Sequence, residues 1–378
     1  MFHLSIICFE YIVCTHTGVS ISYVPIPNGL RLFTRKDIFT ILQITDLHLA
    51  ERYFLKVSQL RRLRRLIDRV NPDLIVNTGD FFCRRRLLHP RLIVKLFTSI
   101  IGKDYPWTFA WGNHDCEAFQ KGFCFTPIDT EKEFKAFEDF LCKTKNCLYV
   151  PSHDFIMHYG KMSPVEKELE EEAGTYDDFY GGNFKLELVN ASRHRKAWDV
   201  FILNSRQVYH IPPQALHWMD HEVRLNPHPV PAVCFYHLPN KAFEELWEAG
   251  LAQGVKGEGV QYLKDDGRIH EAFKRMGMVR ACFVGHDHKN DFIGTYEGIT
   301  YVYGRKTLRF SKGAVDAGKV PLLTKGKPVP LVWGAKMITL GMTEESPMEN
   351  TFSVSTILES RVRRKATYPV SLPEPNFS

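Results

Sequence analysis

Short, mainly apolar runs alternate with a segment of helical periodicity in the first third of the chain. The runs are residues 41–44, 74–78 and 107–111, and polar or turn residues bound each of them. Between the first two runs, apolar residues recur at roughly helical spacing: Leu55, Leu60, Leu63, Ile67 and Val70. Short apolar runs are typical of buried strands, and strands that alternate with helices predict parallel βαβ units. The pattern therefore indicates an α/β fold.

Two later runs, residues 232–236 and 281–284, share one property with the first three. All five are followed closely by residues that bind hard or borderline metal ions. These residues are Asp46 and His48, Asp80, Asn113 with His114 and Asp115, His237, and His286 with His288. In open α/β sheets the ligand crevice lies beyond the carboxyl ends of the strands. Chance explains one such placement, but five in order predict a shared site.

The last of these motifs is Gly285-His286-Asp287-His288. On an extended segment, residues i and i+2 point the same way, so both histidines can face one pocket. Neutral imidazole is a common ligand for Zn, Fe, Mn and Ni. Alone, Gly-His-x-His is more often an ordinary loop than a metal site. The histidine pair therefore indicates a metal site only in combination with the other four motifs.

Together the five motifs resemble the five-block signature of the calcineurin-like metallophosphoesterases. The blocks are Asp46-x-His48, Gly79-Asp80, Gly112-Asn113-His114-Asp115, His237 and Gly285-His286-x-His288, in the order of that family. Further similarity at residues 180–184, 235–239 and 285–292 is to its compact, purple-acid-phosphatase-like branch. The resemblance implies a four-layer αββα sandwich, in which helices flank two mixed β-sheets (the metallo-dependent phosphatase fold).

The resemblance also implies two metal ions, with Fe, Mn or Zn as the candidates. The ligands of the first ion would be Asp46, His48, Asp80 and His288. Asp80 would bridge to a second ion, whose other ligands would be Asn113, His237 and His286. Only the two aspartates are charged, so two divalent ions would leave the cluster at about +2, a charge that attracts an anionic phosphoryl group. The charge of the cluster therefore favours phosphate chemistry.

By the same resemblance, a hydroxide that bridges the metals would attack phosphorus in line with the leaving oxygen. His114 would stabilise or protonate the leaving group, and Asp115 would orient the His114 ring. Asn113 and His114 would also contact the substrate. Arg84 follows Asp80 closely enough for a contact with the substrate phosphate, although loop arginines are commonly just solvated.

One departure from the purple acid phosphatases stands in the sequence itself. Those enzymes carry Asp-x-Gly in the first block and a tyrosine three residues after the Gly-Asp aspartate. Here the corresponding positions are His48 and Cys83. The tyrosinate ligand that gives those enzymes their colour is therefore absent from this chain.

Three functions remain open at this stage. The leading one is a phosphomonoesterase, acid phosphatase-like or phosphoprotein phosphatase-like, that acts on a phosphorylated small molecule or a phosphoprotein. A phosphodiesterase on nucleotides or nucleic acid shares the same ligands, but the sequence offers no base-stacking surface with interleaved basic residues. A catalytically silent scaffold would be signalled by loss of His114 or of several ligands, and the sequence retains them.

Composition and charge add few constraints. The chain has 378 residues, a hydrophobic content of 44% and a formal net charge of +6. This net charge is small for the length of the chain and does not by itself indicate nucleic-acid binding. None of its nine cysteines forms Cys-x-x-Cys, and the pattern suits a reducing compartment. Residues 2–24 are largely apolar, but Glu10 interrupts them and no basic residue precedes them. We therefore predict a cytoplasmic protein without a membrane span, with secretion as the alternative.

Domain boundaries follow from the positions of the motifs. We predict an N-terminal lead-in over residues 1–35, a metallophosphoesterase domain over 36–343 and a polar C-terminal tail over 344–378. The lead-in would be an edge strand or a poorly ordered segment, and the tail would be loosely packed.

Overall fold

The computed structural model describes residues 11–14, 20–49, 57–82, 89–115, 130–151, 182–205, 211–224, 226, 228–263, 265–308, 319–321, 328–330, 333–342 and 346–358. The strands are β1 Tyr11–Cys14, β2 Ser20–Ile26, β3 Gly29–Thr34, β4 Ile38–Ile44, β5 Leu74–Thr78, β6 Trp107–Ala110, β7 Phe184–Asn190, β8 Arg195–Ile202, β9 Ala232–Phe235, β10 Ala252–Val255, β11 Val279–Val284, β12 Asp291–Tyr296, β13 Ile299–Tyr303, β14 Lys319–Pro321, β15 Pro328–Pro330, β16 Gly334–Gly341 and β17 Phe352–Leu358. The helices are α1 Val57–Val70, α2 Pro90–Phe97, α3 Thr130–Cys142, α4 Pro213–Arg224, α5 Ala242–Glu248 and α6 Arg268–Met276.

The strands of the described segments form two main sheets. The large sheet has ten strands in the order β1-β2-β3-β7-β8-β9-β11-β13-β12-β10, and the small sheet has five in the order β17-β16-β4-β5-β6. Both are mixed: β4, β5 and β6 run parallel while β16 pairs antiparallel with β4, and β8, β9, β11 and β13 run parallel while β12 pairs antiparallel with β13. A short ribbon, β14 with β15, stands apart.

Successive side chains along the central strands of the large sheet point to opposite faces, and each face borders a different hydrophobic core. In β9, Val233 and Phe235 belong to the core that the two sheets share, whereas Cys234 and the following Tyr236 belong to a second core with α4, α5 and α6. Helices α1, α2 and α3 pack on the small sheet. Both sheets are therefore covered by helices, and the predicted four-layer αββα fold is confirmed.

The helices follow the predicted patterns closely. In α1, Leu60, Leu63 and Ile67 are buried, and the helix ends before Asn71, whose φ of 49° is left-handed. Trp218 of α4 is fully buried. Helix α2 ends at Phe97, and the chain continues as a turn of π-helix, Thr98–Gly102. None of the described helices is both long and apolar enough to cross a bilayer.

The fold extends beyond both predicted domain boundaries. Strands β2 and β3 lie in the expected lead-in, and β3 pairs parallel with β7 inside the large sheet. Strand β17 lies in the expected tail and pairs with β16 along seven residues. Residues 352–358 of the expected tail therefore form the edge strand of the small sheet.

Candidate metal centre

The five predicted motifs lie where the carboxyl ends of strands from both sheets meet. Asp46 follows β4 and Asp80 follows β5, and these strands are parallel neighbours in the small sheet. His237 follows β9 and His286 follows β11, which are parallel neighbours in the large sheet. The Asp46 amide donates to the Gly79 carbonyl at 3.1 Å, and the Gly285 amide donates to the His237 carbonyl at 3.0 Å. Within each sheet, a main-chain hydrogen bond thus holds together the two loops that carry the candidate ligands.

Four of the predicted ligands form a first group: Asp46, His48, Asp80 and His288. Their potential ligand atoms all lie within 4.8 Å of one another. The Nε2 atom of His288 lies 3.1 Å from Nε2 of His48 and 3.1 Å from Oδ1 of Asp46. Nε2 of His48 lies 3.5 Å from Oδ2 of Asp80. Lone-pair atoms from three loops therefore converge on one small volume, which a cation fits.

A second group shares Asp80 with the first and adds His237 and His286. Nε2 of His237 lies 3.3 Å from Oδ1 of Asp80. The side-chain oxygen of Asn113 lies 3.1 Å from Nε2 of His237 and 3.1 Å from Nδ1 of His286. All seven predicted ligands are therefore brought together, and Asp80 occupies the bridging position between the two groups.

The backbone of the ligands is held in an unusual conformation. Asp46, His48, Asp80 and His286 have φ values of 53°, 44°, 52° and 71°. Non-glycine residues in this left-handed region cost on the order of 1–3 kcal/mol each and cluster at functional sites. Four such residues in one pocket indicate that the surrounding structure holds the ligands in place against local strain.

Two glycines of the motifs permit the close approach of the sheets. Gly79 has a φ of 94°, and a Cβ atom there would lie 2.5 Å from Cγ of His237. At Gly285 a Cβ atom would overlap Oγ1 of Thr45 and lie 2.8 Å from Oδ2 of Asp46. Since real Cβ atoms do not approach so closely, a side chain at either position would displace a ligand. The glycines are therefore needed for the convergence itself.

The protonation states suit metal binding. Burial raises the pKa of Asp80, but the charge of His237 and its hydrogen bond to Asp80 outweigh it and hold that pKa far below its ordinary value. Burial and then the charge of His237 lower the pKa of His286 to about 4, and burial also lowers that of His48. Metal ligands must be deprotonated to bind. Charged carboxylates beside neutral imidazoles are the forms that a cation requires.

His237 is the exception, and its partners explain why. Burial lowers its pKa, but Asp80 beside it raises it to about 10. A positive charge next to Asp80 is thus favourable, whether a proton or a metal ion supplies it. Nδ1 of His237 lies 2.7 Å from the carbonyl oxygen of Thr78, which leaves Nε2 to face the pocket.

Several supporting contacts were not predicted from the sequence. Oγ of Ser205 accepts hydrogen bonds from the amides of His237 at 3.0 Å and Leu238 at 2.8 Å. Oγ1 of Thr45 donates to Oδ2 of Asp46 at 2.8 Å. Ser205 follows β8 closely and could have been suspected on that ground, but no local signal marks Thr45 as a partner of its neighbour.

The ring of His114, a predicted catalytic residue, lies beside the shared Asp80 and, at 5.4 Å between ring centroids, beside His48 of the first group. The side chain of His114 is 33% exposed, and its Nε2 lies 4.0 Å from Oδ2 of Asp80. The carboxylate of Asp115 accepts from the amides of Phe82 and Gly112, each at 2.8 Å. Its role in orienting the His114 ring stays a prediction. Arg84 and Cys83 lie outside the described residues.

The comparison with family models decides the family. The model of the calcineurin-like phosphoesterases matches residues 39–290, a range that contains all seven candidate ligands. The chain belongs to the calcineurin-like phosphoesterase family. The predicted membership is therefore confirmed.

Within this family, similar curated proteins come from Arabidopsis thaliana. "Probable inactive purple acid phosphatase 28" is 26% identical over 315 residues, which cover 74% of this chain and 72% of that protein. "Probable inactive purple acid phosphatase 29" is 24% identical over 314 residues, which cover 72% of each. Solved structures of similar shape include a dimetal phosphatase from Danio rerio (12% identity, TM-score 0.43, covering 83% of this chain and 98% of that chain). The purple acid phosphatase PPD1 from yellow lupin, Lupinus luteus, has 10% identity and a TM-score of 0.38, covering 93% of this chain and 58% of that chain.

Proposed function

We propose that this chain is a binuclear metal-dependent phosphoric ester hydrolase that acts on phosphomonoesters. The observation that carries the proposal is the convergence of the seven candidate ligands in two groups that share Asp80. When bound, two ions of Fe, Mn or Zn would withdraw charge from the phosphoryl group and activate a water molecule as the nucleophile. The substrate would be a phosphorylated small molecule or a phosphoprotein.

The chain's own residues would divide the remaining work. The candidate ligands Asp46, Asp80 and His237 are almost fully buried, whereas the His114 side chain is one-third exposed. His114 can therefore reach a substrate while the ligands stay in place, and its ring would donate a proton to the leaving oxygen. Asp115 binds the amides of Phe82 and Gly112, so it fixes the loop that carries His114 against the loop that follows Asp80.

A catalytically silent scaffold is the second candidate, because the names of both Arabidopsis relatives contain the word inactive. The retained ligand set argues against a scaffold, because a protein that needed only the fold would not need four ligand residues in a strained backbone conformation.

A phosphodiesterase is the third candidate and would use the same ligands. For the compartment, the cytoplasm stays our prediction.

The first experiment measures bound metal by elemental analysis and turnover of p-nitrophenyl phosphate and its bis ester. His114→Ala should lose about 10²–10⁴-fold in turnover and keep its metal, because the ring donates a proton rather than binding an ion. Asp80→Asn should lose both metal and turnover, because Asp80 belongs to both groups. His228→Ala, at an exposed histidine, serves as the matched control and should behave as the unmodified protein.

The outcomes separate the three candidates. Preference for the monoester supports the proposal, and preference for the bis ester supports the phosphodiesterase. A metal-replete protein that is inert toward both esters supports the scaffold. Full turnover of the His114→Ala variant would overturn the role given to that histidine.

A further inference from the structure

A buried positive charge lies beside the first group of candidate ligands. Lys306 follows β13, and its side chain belongs to the buried part of the chain, with 6% of the residue exposed. Its Nζ donates to the main-chain oxygen of Asp46 at 2.9 Å, although the two residues are 260 positions apart in the sequence. The sequence motifs of the family do not include this residue. The ammonium is therefore a charged component of the pocket that the proposed function leaves unused.

The segment around Lys306 is fixed to the end of β4. The Thr307 amide donates to the Thr45 carbonyl at 3.1 Å, and the Thr45 amide donates to Oγ1 of Thr307 at 2.9 Å. On the other side, the Gly334 amide donates to the Lys306 carbonyl at 3.1 Å. Because Lys306 and Thr307 are hydrogen-bonded to residues beside β4 and β16, the backbone of Lys306 cannot move away from Asp46 without breaking these contacts. The fold thus fixes the position of Lys306 beside the first group.

The ammonium of Lys306 lies beside the place where the first group would hold a metal ion. It is hydrogen-bonded to the main chain of Asp46, whose Oδ1 lies 3.1 Å from Nε2 of His288. A metal ion bound by these ligands would therefore be repelled by the ammonium. Inside a protein such interactions are stronger than in water, and they scale with the product of the two charges.

We propose that Lys306 makes the group of Asp46, His48, Asp80 and His288 selective for divalent over trivalent metal ions. The repulsion that a trivalent ion meets is half as large again as that of a divalent ion at the same place. The inference rests on the metal centre of the proposed function and not on turnover, so it can fail while the hydrolase proposal stands.

The test is equilibrium dialysis of metal-free, full-length protein against Zn²⁺ and, separately, against Ga³⁺ supplied as its citrate complex. Lys306→Gln keeps a donor for the Asp46 carbonyl but removes the charge. If the variant binds zinc about tenfold more tightly, it should bind gallium about thirtyfold more tightly, because the logarithm of the gain scales with the ion's charge. Lys306→Arg keeps the charge and should leave the ratio of the two affinities unchanged, whereas Lys306→Gln should shift that ratio about threefold toward gallium.

Lys336→Gln is the matched control. Lys336 is also buried, at 3% exposure, but its Nζ binds Oδ1 of Asp291 at 2.6 Å and Oγ1 of Thr356 at 2.7 Å rather than Asp46. This variant should keep the original ratio of affinities. Lys306→Met replaces Lys306→Gln if the latter does not fold, as judged by circular dichroism.

Each outcome of the dialysis experiment either supports or overturns the role given to Lys306. A shift toward gallium in Lys306→Gln alone supports the inference. An unchanged ratio, or an equal loss of affinity for both ions, overturns it and leaves Lys306 as a residue that only positions Asp46. If the unmodified protein binds neither ion, the metal centre of the proposed function fails together with the inference.

Discussion

Gly285 offers a direct test of how the two sheets form one site. In Gly285→Ala, the added methyl group would overlap Oγ1 of Thr45 and lie 2.8 Å from Oδ2 of Asp46 and 3.1 Å from the carbonyl oxygen of Thr78. Thr45 cannot simply rotate away, because its hydroxyl already donates to Asp46 at 2.8 Å. The loop after β11 or the loop after β4 must therefore move.

The expected cost has two parts. Insertion of a methyl group into a closely packed region costs about 1–3 kcal/mol. Loss of the buried hydrogen bond between Thr45 and Asp46 adds about 1 kcal/mol. The free energy of unfolding should therefore fall by about 2–4 kcal/mol, and the first metal ion should bind less tightly because Asp46 is displaced.

The assay combines urea unfolding with metal content per chain. Gly259→Ala is the matched control, since Gly259 is exposed and the nearest atom to an added Cβ, Nε2 of Gln261, lies 3.9 Å away. The control should retain both stability and metal. If Gly285→Ala matched the control in both measurements, the close approach of the sheets could not be what places Asp46.

Two further predictions concern residues outside the ligand set. Burial raises the pKa of Glu187, but Lys196 and Lys185 lower it from 4.5 to about 2, so the stabilising contribution of the carboxylate should be complete above about pH 4.5 and lost as the pH falls toward 2. Glu187→Gln should therefore lower the urea midpoint at pH 7, and by less than half as much at pH 3. An equal difference at both pH values would contradict this prediction. Ser205→Ala leaves two buried amides without their acceptor, His237 among them, and should lower the free energy of unfolding by about 2–4 kcal/mol, whereas Ser205→Thr, which keeps the oxygen, should lose less.

Much of the fold and the candidate site could be predicted from the sequence. The apolar runs at residues 41–44 and 281–284 became the central strands β4 and β11, and the helical spacing that ends at Val70 belongs to α1. These predictions succeeded because buried strands and amphipathic helices impose local periodicities on the chain. The identities of the candidate ligands were equally visible, because each follows a strand and strands of an α/β fold place such residues at one edge.

The tertiary structure alone decided how these pieces meet. The sequence gives no sign that the ammonium of Lys306 touches Asp46, or that β17 completes the small sheet, because both contacts join segments that are distant along the chain. The same holds for the left-handed backbone of His48 and His286, which the sequence pattern does not predict and which packing between the two sheets must stabilise. Local periodicity fixes strands and helices, whereas the charge and geometry of the pocket depend on contacts between sheets, and those form only when the whole chain is folded.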